Sequence, residues 1–192
     1  MSERDGSVTR YRLDAAQSKF TVQAFATGLL AGFGHNPTIA IRNFTGEAQF
    51  TPDNLTNASL QLTVNIDSLN LLDDVKEKDK QEIERTMMHD VLEARRFPEI
   101  IFQSKEIMLT RIIEGRYKAK IIGDVTLHGV TRSGIWVIAQ ITLNGDGLRA
   151  VGDFTLRQTD FNIKLVSVAA GALKVKDEVK FTFDLVGHKE TA

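Results

Sequence analysis

The chain of 192 residues reads as an all-β protein, an antiparallel β-barrel of about eight strands with one inserted surface helix. Three observations predict this. Most of the sequence divides into runs in which apolar and polar residues alternate, the period of a strand with one face buried. One run, Tyr117, Ala119, Ile121, Gly123, Val125 and Leu127, stops at His128-Gly129. That pair suits a two-residue hairpin, because Gly accepts positive φ freely and His adopts it more readily than most residues. The third observation is a single break in the period. Asp73 to Arg96 carries eight acidic and six basic residues, with Val75, Asp79, Ile83, Met87 and Val91 about four apart, the spacing of a charged helix with a narrow apolar stripe.

The strands follow in order. Ser18 to Thr27 alternates through Phe20, Val22, Ala24 and Ala26, and a glycine-rich loop follows from Gly28 to Gly34. Ile39 and Ile41 share one parity, whereas Phe44, Gly46, Ala48 and Phe50 have the other, so a bulge or sharp bend is expected near Arg42-Asn43. Pro52-Asp53-Asn54 breaks the chain before Leu60, Leu62, Val64 and Ile66 resume it. Asp73 or Asp74 is expected to cap the helix, and Phe97-Pro98 to end it. Ile100 to Leu109 is the next strand, then the hairpin around His128-Gly129. Leu148 to Leu156 follows the turn Asn144-Gly145-Asp146-Gly147, and Val179, Phe181, Phe183 and Leu185 alternate in the last strand. Small residues in phase with the inward face (Ala24, Ala26, Gly46, Ala48, Ala119, Gly123, Ala150 and Gly152) predict spare volume inside the barrel. A tightly packed sandwich is the alternative arrangement of the same strands.

Composition bounds the function. The length fits one domain, expected over residues 11–188 between tails 1–10 and 189–192. With 24 Lys plus Arg against 25 Asp plus Glu, no global field recruits nucleic acid. The absence of cysteine removes disulfides, thiol nucleophiles and Cys-bound metals. No window has the length of apolar sequence needed for a membrane span, and Met1 to Ser7 carries no export signal. The expected location is cytoplasmic for the sequence as written, or periplasmic if an export signal has been removed.

Candidate chemistry is sparse. His35, His89 and His128 come from separate segments that a barrel rim could gather, yet no His-x-His or His-Glu-x-x-His spacing supports a metal site. His128 reads first as a residue that orients its turn by a side-chain hydrogen bond. Paired acids such as Glu82 and Glu84 read as solvated helix surface. Gly-x-Ser-x-Gly, Gly-x-Gly-x-x-Gly and Walker motifs are absent. Arg157 and Asp160 are spaced for an ion pair or cap that anchors a strand end. No catalytic residue, metal or cofactor is assigned.

Four segments carry a resemblance. Tyr11 to Ser18 (YRLDAAQS), Arg96 to Ser104 (RFPEIIFQS), Gly123 to Arg132 (GDVTLHGVTR) and Phe154 to Ile163 (FTLRQTDFNI) lie in the order found in the YceI-like family, and the chain resembles that family over residues 11 to 187. Asn162 stands where the family often has Gly, and Gly34-His35-Asn36 with the charged helix resembles a less characterised branch. The resemblance implies a lipocalin-like barrel whose apolar interior holds an isoprenoid, isoprenoid-quinone or fatty-acyl chain, and a homodimer is expected from it. It transfers no catalytic residue. The candidates for the ligand-binding wall are Phe20, Val22, Phe33, Leu62, Val64, Phe102, Ile121, Val125, Trp136, Phe154, Phe161 and Phe183, each of which also suits an ordinary core. His35 and His128 are the candidate head-group contacts. Two other functions fit the same residues: an enzyme acting on such a ligand through those histidines at the barrel mouth, and a ligand-free stress-response module docking through its helix.

Overall fold

The computed structural model describes residues 8–27, 36–51, 55–168 and 173–190. In chain order its strands are β1 (Thr9–Gln23), β2 (Ala26–Thr27), β3 (Thr38–Ile41), β4 (Phe44–Thr51), β5 (Thr56–Asn65), β6 (Leu69–Leu71), β7 (Glu99–Ile113), β8 (Arg116–Leu127), β9 (Val130–Asn144), β10 (Gly147–Arg157), β11 (Ser167–Val168), β12 (Leu173–Val175) and β13 (Glu178–Lys189). One helix, α1 (Glu77–Thr86), lies between β6 and β7. The long strands pair in the order β13-β10-β9-β8-β7-β5-β4-β1, and β13 pairs again with β1, so eight antiparallel strands close on themselves. β3 and β6 extend from β1 at one end, and β11, β12 and β2 form a separate small sheet. The expected loop from Gly28 to Gly34, with His35 after it, and the expected break at Pro52-Asp53-Asn54 lie outside the described residues.

β8 shows why the alternation forms a barrel wall. Tyr117, Ala119, Ile121, Gly123, Val125 and Leu127 are all buried, and the residues that alternate with them are half-buried or exposed. The turn that follows has φ of 52° at His128 and 72° at Gly129, both positive as a type I′ hairpin requires. The parity change at Arg42-Asn43 falls between β3 and β4, with Ile41 and Phe44 buried on either side.

β1 joins two neighbourhoods. Thr9 to Arg12 pair with β4, but Thr21 to Gln23 pair with β3. Between them the register with β13 lapses from Asp14 to Lys19. Asp14 holds this bulge together: its carboxylate accepts from the Ala16 and Gln17 backbone N–H and from the Gln17 amide. Ser18 donates to the Asp14 carbonyl and accepts from the Val186 N–H, filling the gap in the ladder. A bulge adds local bend. Here it steers the strand from β4 to β3.

The expected spare volume at the glycines is a correction. A Cβ on Gly123 would lie 2.6 Å from the Phe102 ring and 2.6 Å from the Gln103 carbonyl, and one on Gly152 would lie 2.7 Å from the Phe183 ring. On Gly46 it would meet Leu13 at 2.7 Å. Side chains of neighbouring strands already occupy these positions. The glycines seat those side chains rather than leave a void.

The helix also differs from expectation. α1 starts at Glu77 with Lys76 in the cap position and no side-chain cap bond, while Asp73 instead accepts the Thr38 N–H at 2.7 Å. The helix gives way to a wider π turn over Met87–Val91. Met87, Met88, Val91 and Leu92 pack on the core through that turn, and Ile83 of the expected stripe stays exposed. Glu84 accepts from the Asn70 amide and the Leu71 N–H, which ties α1 to the outer edge of β6.

Gly123→Ala is expected to lower the urea midpoint with an unchanged m value, by about 1–3 kcal/mol, because backbone and ring must both move. A midpoint equal to that of the parent protein would refute the seating role.

Candidate functional site

Inside the barrel lies a cavity of about 130 Å³. Its wall comes from all eight barrel strands, and among the side chains that line it only Gln49 and Ser59 are polar and none is ionisable. Alternation produces this: each strand presents every second residue to the interior, and those positions are apolar. Ala119 on β8 faces Ala139 on β9, and with Ala48, Ala58 and Ala150 these are the small residues that leave room. Phe20, Phe154, Phe181 and Phe183 close one end as a packed cluster, with Phe154 stacked on Phe181 at 4.7 Å.

Among the described residues the β1–β4 ladder stops at Arg12 and Glu47, where β1 turns toward β3, and the wall parts in two further places. β5 pairs with β7 only from Gln61 to Asn65, and at Leu60 the ladder gives way to a bond from its N–H to the Ser104 hydroxyl. Gln49 and Ser59, paired across β4 and β5, stand beside this first parting. At the opposite end the ladder between β9 and β10 stops at Ile138 and Asp153, although β9 begins at Val130 and β10 runs to Arg157. The far side of this second parting is fastened by Arg132, which donates to the Asp160 carbonyl.

His128 completes that fastening. Its Nδ1 lies 3.1 Å from the Phe161 carbonyl and its Nε2 lies 2.7 Å from the Glu93 carboxylate. Both partners are acceptors, so the ring makes both bonds when both nitrogens carry protons. Phe97 packs edge-on against the imidazole at 4.7 Å and fills the space beside Gly129. Glu93 also pairs with Arg96 at 2.7 Å. The Arg96 guanidinium first, and His128 second, hold the Glu93 carboxyl below its ordinary range.

Eight of the residues expected in the wall face the cavity: Phe20, Leu62, Val64, Phe102, Ile121, Val125, Phe154 and Phe183. Trp136 does not. Val137 and Ala139 are the inward residues of β9, so Trp136 points outward and is 57 % exposed. Val22 packs against the core without lining the cavity, and Phe161 is buried in the turn after β10, where its carbonyl meets His128. Phe33 and His35 lie outside the described residues. Leu13, Ile41, Phe50, Ile141 and Leu148 are wall residues that the sequence reading did not select, although the parity of their strands points to them. Arg157 pairs with Asp177 at 3.1 Å rather than with Asp160. Asp177 also accepts from the Thr159 N–H and hydroxyl, and the Thr159 backbone bond is the main cause of its lowered pKa. His128 belongs to the fastening and not to the cavity wall, and His89 is exposed on the π turn. Among the described residues no three His, Cys, Asp or Glu side chains gather as a metal site.

Three comparisons bear on this arrangement. The sequence profile of the family described as YceI-like domain matches residues 11–187. A UPF0312 protein of Pseudomonas putida (strain W619) is 29 % identical over 126 residues, covering 62 % of this chain and 60 % of that protein. A UPF0312 protein of Pseudomonas syringae pv. tomato is 28 % identical over the same length and shares. The matched stretch thus spans about 60 % of the length of these curated relatives. Among solved structures, Burkholderia cenocepacia BcnA superposes with a TM-score of 0.69 at 21 % identity, covering 91 % of this chain and 98 % of that one. A polyisoprenoid binding domain from Saccharophagus degradans superposes with a TM-score of 0.64 at 15 % identity, covering 94 % and 98 %. At these identities the structures support the fold.

The Glu93 carboxyl gives a pH dependence. A carboxyl whose folded pKa is depressed adds stability that is present above its unfolded value, near 4.5 here, and lost as pH falls through the folded value. Melting temperature measured from pH 7 down to pH 3 should therefore fall less steeply on the acid side for Glu93→Gln than for the parent. Parallel curves would show that Glu93 contributes nothing to that limb.

Proposed function

Because the chain belongs to the YceI-like domain family, we propose that its barrel binds and carries an elongated apolar molecule of isoprenoid, isoprenoid-quinone or fatty-acyl type. The observation that carries this reading is the cavity wall itself, apolar from end to end apart from Gln49 and Ser59. Each CH2 moved from water into such surroundings gains about 0.8 kcal/mol, so a ten-carbon chain gains about 8 kcal/mol before ordering costs. A wall without an ionisable side chain offers no counter-charge, and burying an unpaired charge is costly. The lumen therefore favours uncharged ligands, with Gln49 and Ser59 available to one polar group. That a neighbour in fold is a polyisoprenoid binding domain supports the same class of ligand.

The volume is modest. Apolar cavities of about 150 Å³ stay dry and take up benzene-sized molecules. A longer chain is accommodated where Leu60, Leu62, Ile107 and Leu109 flank the β5–β7 parting, because the strands beyond Leu60 are not tied by a ladder and can give.

Native mass spectrometry after incubation with farnesol or dodecanol should show one ligand per chain, and lipid extraction of freshly purified protein should release an apolar compound. Ala150→Phe places a ring in the lumen and should weaken uptake at least about ten-fold, a loss of about 1.4 kcal/mol. No saturable uptake by the parent, or undiminished uptake by Ala150→Phe, would overturn the reading.

A further inference from the structure

We propose that the outer face of β8, β9 and β10 is a docking surface for an anionic lipid bilayer, placed at the β9–β10 parting so that apolar chains cross between bilayer and lumen. The crossing rests on the proposed lumen ligand; the docking does not. Outside the parting runs a groove of about 660 Å³, lined from β9 by Trp136 and Ile138 and from β10 by Val151 and Phe154. Trp136, Ile138 and Val151 are 57 %, 48 % and 42 % exposed. Contiguous apolar exposure of this kind marks an interaction site, and a Trp ring suits the boundary between hydrocarbon and water.

Charge selects the partner. Register places Lys120 beside Ile138 and Lys118 beside Gln140 on the same outward face. Both lysines are exposed, and neither has an ion pair among the described residues. The one carboxylate in the groove, Asp153, lies 3.5 Å from Lys180 and is offset by it. The chain as a whole is almost neutral, at a formal net charge of −1, so this local pair of cations beside apolar side chains sets the attraction to an anionic surface.

The groove connects with the interior through one ring. Phe154 lines both the groove and the lumen. It lies just past the last rung of the β9–β10 ladder, so on that side no backbone hydrogen bond seals the wall. On the β9 side, Gly134 has φ of 76° with open space around it, and the β8–β9 register shifts close by. Rotation of Phe154 would open the wall without breaking a ladder bond.

The chain's only tryptophan is Trp136, a built-in reporter. Vesicles of phosphatidylcholine with phosphatidylglycerol should shift its emission to shorter wavelength and carry the protein on flotation; pure phosphatidylcholine vesicles, or high salt, should do so much less. Lys118→Gln with Lys120→Gln should weaken partitioning about thirty-fold, the equivalent of about 1 kcal/mol for each lysine. Ile138→Ser with Val151→Ser should weaken it on either vesicle while farnesol uptake in solution persists. Unchanged emission and no flotation by the parent would overturn the docking, as would a dimer in analytical ultracentrifugation that the Ile138→Ser, Val151→Ser variant alone dissolves. Flotation without farnesol uptake would sink the lumen reading and leave the docking intact. Farnesol uptake without flotation would do the reverse.

Discussion

The pairing of β13 with β1 is the constraint on which the rest of the structure depends. It joins the last strand to the first, from Tyr11 with Lys189 to Gln23 with Lys180, and turns a long sheet into a tube. Closure gives each strand one inner and one outer face, so a period of two in sequence becomes a division between lumen and solvent. It also demands curvature. The bulge at Asp14 to Lys19 supplies some of it, and Asp14 holds that bulge with three accepted hydrogen bonds. The Gln17 amide is the first cause of the lowered Asp14 pKa, so the carboxylate serves the bend in its ionised form.

Closure is incomplete by design of the ladder rather than by lack of strands. The β5–β7 and β9–β10 partings lie at opposite ends, one beside Gln49 and Ser59 and one beside Phe154. Side-chain fasteners stand in for backbone rungs there: Ser104 at the first, and Arg132 with the His128–Glu93 pair at the second. Such contacts are fewer and more exposed than a ladder, and regions of this kind open at lower free energy than the core.

Much of this was legible in the sequence where strands are wet on one face. β8 alternates cleanly, and its inward residues and turn are as expected. Trp136 was not legible, because Ile135, Trp136, Val137 and Ile138 are all apolar and a run without alternation does not declare its inner face. The glycines misled for another reason: whether Gly123 leaves a void depends on Phe102, a neighbour brought close only by cross-strand register. Arg157 finds Asp177 twenty residues away, where the spacing to Asp160 suggested a local pair. The pairing of Glu93 with His128, thirty-five residues apart, likewise has no local signal.

The β9–β10 parting has one more consequence, which concerns other molecules of the same chain. From Val130 to Val137, β9 has a ladder on its β8 side alone among the described residues, so the closed barrel keeps here a stretch of strand without a partner on one side. Bare edges of this kind template addition of further strands and begin aggregates. Gly134 at positive φ interrupts the extended geometry midway, and Arg132 beside it is engaged with the Asp160 carbonyl. A kinked edge with a charged side chain across it is a poor template, so this stretch of β9 resists the addition of strands from further copies of the chain.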